Sequence, residues 1–232
     1  MALGAFAAVV VVGCHRAEAQ AGPRAPIRDP DRLFRKYVCS YQELARRQVV
    51  MQQRDFSCGA AALATVIRYY WGDPVTEDQF LKLMEQILTP EDIQERIRNG
   101  LALTDLRNLA NKAGYQASIG RVEFNELTEA KVPVIVGIIV DEYDHFVVFR
   151  GAAGGWVYLA DPSRGQIRIP VGTFRRQWQQ QAILVVAKPG EKVKERNPMG
   201  IKPQEMYRGW LNDQFVRQNA LTPKPPSPFL IP

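Results

Sequence analysis

Gln52-Gln53-Arg54-Asp55-Phe56-Ser57-Cys58-Gly59, running into Ala60-Ala61-Ala62-Leu63-Ala64-Thr65-Val66-Ile67-Arg68-Tyr69-Tyr70-Trp71-Gly72, is the stretch whose reading decides the fold. The second run has the composition of a buried helix: four alanines, Leu63, Val66 and Ile67, with aromatics at its end. Gly72 supplies a C-terminal stop, and Pro74 lies just beyond it. Cys58 therefore opens a buried helix, where free backbone N–H groups and the helix dipole favour a thiolate. A free cysteine also packs well as an inert core residue. The stretch alone leaves nucleophile and core filler equally open, and the rest of the chain has to decide.

Upstream, residues 2–13 form one uninterrupted apolar run, shorter than the ~20 residues that span a bilayer. The run matches the apolar region of a secretory signal, and Ala17-Glu18-Ala19 is an A-x-A cleavage site, although no Lys or Arg precedes the run. Val11-Val12-Gly13-Cys14 resembles a bacterial lipobox. A signal peptide over residues 1–19 ranks ahead of a lipoprotein signal ending at Gly13 with an acylated Cys14. Either form implies an exported protein, expected in the periplasm. Residues 20–48 read as a linker and N-terminal extension: residues 20–31 hold three prolines, and residues 32–47 suggest one short helix. Val49-Val50-Met51 is a short strand-like run that leads into the motif.

The chain of 232 residues carries a net charge of +6, spread rather than clustered, so nucleic acid is not an expected partner. It has no HExxH, no CxxC pair and no GxxxxGK[ST] loop, so neither a zinc site nor an ATP-binding domain is read from it, and no cofactor is expected. Its three cysteines are Cys14, Cys39 and Cys58. In an oxidising compartment a Cys39–Cys58 disulfide competes with a reactive Cys58.

Downstream, the first half is helical. Thr76 and Gln79 form a capping box before Phe80, Leu81, Met84 and Ile87 at helical spacing. Pro90 opens a segment ended by Asn99-Gly100. A third helix starts at Thr104-Asp105 and stops at Gly114. The second half then changes period. Strands are expected over Tyr115–Val122, Val132–Val140, His145–Phe149, Trp156–Ala160, Gln166–Ile169 and Ala182–Val186, with turns at Gly151–Gly155 and Asp161–Gly165. Helices first and antiparallel strands second give an α+β fold. Residues 188–204 read as a charged linker. Met206, Trp210, Leu211 and Phe215 suggest an amphipathic helix within a Pro-rich C-terminal extension over 188–232.

A nucleophilic cysteine needs a base and a group that orients it. Of the two histidines, His15 lies in the signal region, which leaves His145 at the start of a strand. A lone histidine is more often structural, but one that opens a buried strand in a chain with a helix-opening cysteine points to catalysis. Asp161 ends the next strand, and the Gly154-Gly155 hairpin would set it beside His145. Taken on its own, Asp161 reads better as a turn residue before proline. Asp144 and Asp141 are rival orienters, with Asp144 ranked lower because it faces the other side of the strand. The backbone N–H of Cys58 and an upstream amide, Gln52 or Gln53, supply candidate oxyanion donors.

Gln52, Asp55-Phe56-Ser57-Cys58-Gly59-Ala60-Ala61, Tyr69-Tyr70-Trp71-Gly72, His145-Phe146-Val147-Val148 and Ala160-Asp161-Pro162 together resemble peptidase family C39. These are papain-like bacteriocin-processing proteases, often fused to ABC transporters. The resemblance spans about Val49 to Ala187, and a peptidase domain is expected over residues 49–187. It implies Cys58 as nucleophile, His145 as general base and acid, Asp161 as orienter, and Gln52, six residues before the cysteine, as oxyanion donor. It implies a peptide or protein substrate and a secretion apparatus at the membrane as partner. The chain looks more like the stand-alone, signal-bearing members, some of which accompany functional-amyloid secretion systems. Cleavage after Gly-Gly is the family's habit. The alternatives are a non-catalytic module of the same fold that holds a secretion substrate, and a papain-like amidase or transpeptidase.

Overall fold

The alanine-rich run after Cys58 folds as α2 (Cys58–Val66), in which every residue is buried. Small side chains let a helix lie close against its neighbours, and Gly59 is the tightest point. A Cβ on Gly59 would sit 2.8 Å from Leu106 Cδ2 and 3.1 Å from Phe146 Cδ2. The helix continues into a π-helical turn over Ile67–Trp71, closed by the Gly72 N–H on Ile67 O at 3.0 Å. Gly72 takes φ +92°, a left-handed value that glycine tolerates at a helix end.

A computed structural model of the chain describes residues 24–29, 32–37, 40–203, 205 and 206. The signal region with Cys14 and His15, Cys39, and the expected helix residues Trp210, Leu211 and Phe215 lie outside the described residues. The chain divides into two units, residues 1–43 and 44–232. In the first, β1 (Arg24–Asp29) pairs antiparallel with β2 (Arg32–Tyr37), Arg24 opposite Tyr37. This replaces the expected linker over 20–31 and most of the helix expected over 32–47, of which only α1 (Tyr41–Ala45) forms. The apolar residues of 32–38 are too few for their spacing to separate helix from strand.

The second unit holds α3 (Glu77–Ile87), α4 (Pro90–Asn99) and α5 (Leu103–Lys112), then β3 (Gln116–Arg121), α6 (Phe124–Thr128), β4 (Val134–Val140), β5 (Tyr143–Ala153), β6 (Trp156–Asp161), β7 (Gly165–Pro170), α7 (Val171–Gln177) and β8 (Trp178–Ala187). The capping box at Thr76 and Gln79 forms as expected, with Thr76 N–H on Gln79 Oε1 at 2.9 Å. The six strands make one antiparallel sheet in the order β3-β8-β4-β5-β6-β7. Side chains alternate across it. Ile135, Phe146, Val148, Ala160, Leu184 and Val186 join the core under α2, α3 and α5. Val134, Val136, Ile138, Val147, Phe149 and Leu159 face the other way, with Leu127 of α6 and Phe174 of α7. The α+β reading holds. The short helices α6 and α7 were not expected, because each presents a single fully buried residue and no repeat for periodicity to detect.

Residues 188–203 are not a free linker. Met199 is fully buried. The buried guanidinium of Arg150 donates to Met199 O at 2.7 Å and Gly200 O at 3.1 Å, and pairs with Glu205 at 3.0 Å. Lys194 N–H reaches Tyr70 Oη at 3.1 Å, and Lys188 pairs with Asp73 at 2.9 Å. A charged composition gave no sign of this, because the partner that satisfies these carbonyls lies about 50 residues away in the chain.

Candidate active site

Cys58 is the first residue of α2, buried at 5% exposure, and carries a free thiol. The turn before it is closed on one acceptor. Arg54 O takes the Ser57 hydroxyl at 2.7 Å, the Ser57 N–H at 3.2 Å and Gln52 Nε2 at 3.1 Å. Glycine at 59 brings the helix start onto Phe146, the residue after His145, so the close approach itself sets the thiol near the imidazole.

His145 lies on β5, opposite Ile138 of β4. Asp161 ends β6, and the β5–β6 register sets Val148 against Ala160, so the ends of the two strands run side by side. His145 Nε2 donates to Asp161 Oδ1 at 2.8 Å, and the Asp161 side chain is fully buried. The carboxylate accepts at Nε2, which leaves Nδ1 to the Cys58 thiol. Burial of the ring works against its charged form. The hydrogen bonds to Asp161 and Cys58 and the charges of both outweigh that and raise the His145 pKa to about 9. Burial alone would raise the Asp161 pKa as well. The His145 hydrogen bond and charge, the Ser163 hydroxyl and the Arg164 charge instead hold it below the ordinary carboxylate range.

Asp161 makes two kinds of contact at once. Oδ1 closes the turn onto Ser163 N–H at 2.8 Å and also accepts from His145. The rivals stand elsewhere: Asp144 accepts from Gln179 Nε2, and Asp141 sits in the β4–β5 turn at φ +49°. Sequence reading missed two neighbours. The Ser163 hydroxyl donates to Asp161 Oδ1 at 2.7 Å, and Arg164 Nε pairs with Oδ2 at 2.7 Å. The Asp161-Pro162-Ser163-Arg164-Gly165 composition signals a turn but does not say which way Arg164 folds. Gly165 has φ +86°, and a Cβ there would lie 2.4 Å from Ala45 O, so the turn needs glycine at this point.

The two glutamines also separate. Gln52 N–H donates to Pro162 O at 2.9 Å, beside Asp161. Its Oε1 is buried without a hydrogen-bond partner among the described residues. Gln53 is exposed, and its N–H turns to Glu77 instead. A thiol at a helix start, an imidazole polarised by a buried carboxylate and an adjacent primary amide together have the parts for acyl transfer through sulfur. No group of His, Cys, Asp and Glu among the described residues could hold a metal.

The Peptidase C39 family model matches residues 46–190. The probable functional amyloid protease FapD of Pseudomonas aeruginosa is 32% identical over 183 residues, which cover 79% of this chain and 78% of that protein. FapD of Pseudomonas fluorescens is 36% identical over 148 residues, covering 63% of each. The crystal structure of the peptidase domain of Streptococcus ComA, a bi-functional ABC transporter, superposes with a TM-score of 0.50 at 19% identity, over 60% of this chain and 97% of that domain. The last likeness bears on the fold alone: helices packed on an antiparallel sheet, as in papain-like peptidases. The chain belongs to the peptidase C39 family. It is a cysteine-type peptidase.

Proposed function

We propose that Cys58 is the nucleophile of this peptidase, His145 its general base and acid, Asp161 the group that orients and charges the imidazole, and Gln52 the side-chain oxyanion donor. The Cys58 thiolate attacks the peptide carbonyl. The oxyanion takes hydrogen bonds from the Cys58 N–H and from Gln52 Nε2, whose second proton is free while Arg54 O holds the first. The His145 imidazolium gives its proton to the leaving amine. Water then attacks the thioester with His145 as base and releases the new carboxylate and the thiolate. The 2.8 Å His145–Asp161 bond carries this reading, because it ties the imidazole that serves the Cys58 thiol to a fully buried carboxylate.

The FapD likeness supports a secreted protein, or its leader peptide, as substrate, in a system of the functional-amyloid kind. It fits an exported enzyme acting beside a secretion apparatus at the membrane, with residues 1–19 as signal peptide or, as the second form, Cys14 as lipid anchor. The test is cleavage of an exported substrate and of a peptide carrying Gly-Gly. Wild type is expected to cut and Cys58→Ala to bind without cutting. Equal products from both proteins would overturn the reading. So would iodoacetamide alkylation of Cys58 that follows an ordinary thiol titration near ~8.5 and ignores His145→Ala.

A further inference from the structure

Besides Glu77, three charged residues are buried among the described residues of the second unit. Asp105 pairs with Arg96, Arg150 with Glu205, and Asp161 with His145 and Arg164. Glu77 is 2% exposed, and no salt bridge reaches it among the described residues. Burying a carboxylate is costly unless something pairs with it, and capping of α3 does not require it, because Thr76 and Gln79 already form the box. Both Glu77 oxygens lie 3.1 Å from a single donor, the backbone N–H of Gln53. That donor is one residue from Gln52.

We infer that Glu77 is a positioning residue for the oxyanion donor, an inference that rests on the role proposed for Gln52. Three elements pin this loop. Val50 N–H is held by Thr65 Oγ1 of α2 at 2.9 Å, and Gln52 N–H by Pro162 O beside Asp161 at 2.9 Å. Gln53 N–H is held by Glu77 of α3. The first two pins tie the loop to the helix that carries Cys58 and to the turn that carries Asp161. The third fixes the peptide that follows Gln52, and so the direction from which its side chain leaves. An oxyanion donor works only when it is held where the charge will develop, so a shift of a fraction of an ångström matters.

The experiment compares reach with charge. Glu77→Gln keeps an acceptor oxygen at full length and loses the charge. Glu77→Asp keeps the charge and falls short of Gln53. Two readouts are taken on the full chain: hydrolysis of a coumaryl-amide peptide ending in Gly-Gly, which develops an oxyanion, and alkylation of Cys58 by iodoacetamide, which does not. Glu77→Asp is expected to lower kcat about tenfold with KM within about twofold, while Glu77→Gln stays within about threefold of wild type. Both variants should be alkylated at the wild-type rate. A Glu77→Asp enzyme with wild-type kcat overturns the inference, as does alkylation that slows in step with hydrolysis. Gln52→Ala is run in parallel and is expected to lose about 10²-fold, with Glu77→Asp adding little on that background. A Gln52→Ala enzyme at full rate would remove the oxyanion assignment itself. A slow Gln52→Ala beside a fast Glu77→Asp would remove only the role of Glu77.

Discussion

The sheet half of the peptidase unit delivers its share of the site by register, and the helical half delivers its share by close packing. His145 and Asp161 stand on adjacent antiparallel strands, and the register that sets Val148 against Ala160 brings their ends close enough for the 2.8 Å bond. Cys58 and Gln52 have no ladder to place them. The thiol is located by the contact of Gly59 with Leu106 and Phe146, and the amide by polar pins at residues 50, 52 and 53. A strand pair fails only by slipping a whole register. A packed glycine or a pinned loop fails by fractions of an ångström. The sheet half should therefore tolerate neighbouring substitutions better than the helical half does.

The largest expected effect lies in the sheet pair itself. His145→Ala should lower kcat/KM by about 10³-fold or more, measured by peptide hydrolysis on protein whose fold is checked by circular dichroism. Asp161→Asn should lose nearly as much, because the amide no longer stabilises the imidazolium. A small loss there would mean that register brings the pair together without catalysis using it.

Next comes the packing contact. Gly59→Ala places a methyl group 2.8 Å from Leu106 Cδ2. It should cost about 1–3 kcal/mol of stability and about tenfold in kcat/KM by moving Cys58 away from His145. A variant that lost stability but kept full activity would break the argument that this contact aligns the site.

The pH dependence sharpens the electrostatic side. The folded His145 pKa is raised to about 9, so kcat/KM should fall on an alkaline limb near that pH as the imidazolium is lost. The same shift bears on stability. A raised histidine contributes fully below its unfolded value of ~6.5, and the contribution disappears as pH rises through about 9. For Asp161, whose pKa is depressed, the contribution is complete above the ordinary carboxylate range and is lost as pH falls through its lower folded value. Unfolding curves from pH 6 to 10 on wild type and His145→Ala would show whether the alkaline loss belongs to this residue.

The smallest effect concerns Arg164, which shares the Asp161 carboxylate with His145 but is 46% exposed and so partly screened. Arg164→Ala should remove the cation that competes with His145 for the carboxylate and move the alkaline limb upward by about half a pH unit. An unmoved limb would show that the exposed guanidinium does not reach the imidazole electrostatically.

Much of this was legible in the chain alone. The alanine run, Gly72 and the Thr76–Gln79 box carry their own local physics, and α2, α3, α4 and α5 form where their signals stand. The period change after Gly114 announced the sheet, and a continuous apolar run announced its central strand β4. Residue chemistry nominated Cys58, His145, Asp161 and one of two glutamines. Which of Asp161, Asp144 and Asp141 bonds to the imidazole, and how differently Gln52 and Gln53 are held, shows only in three dimensions. Strand register and backbone hydrogen bonds depend on residues far apart in sequence, and local composition does not encode them. The same reason hid Ser163, Arg164 and Glu77, whose polar atoms find partners only once the turn and α3 are in place. It also hid the packing of residues 188–203, because a Met or a carbonyl declares its burial only when a distant Arg150 is there to receive it.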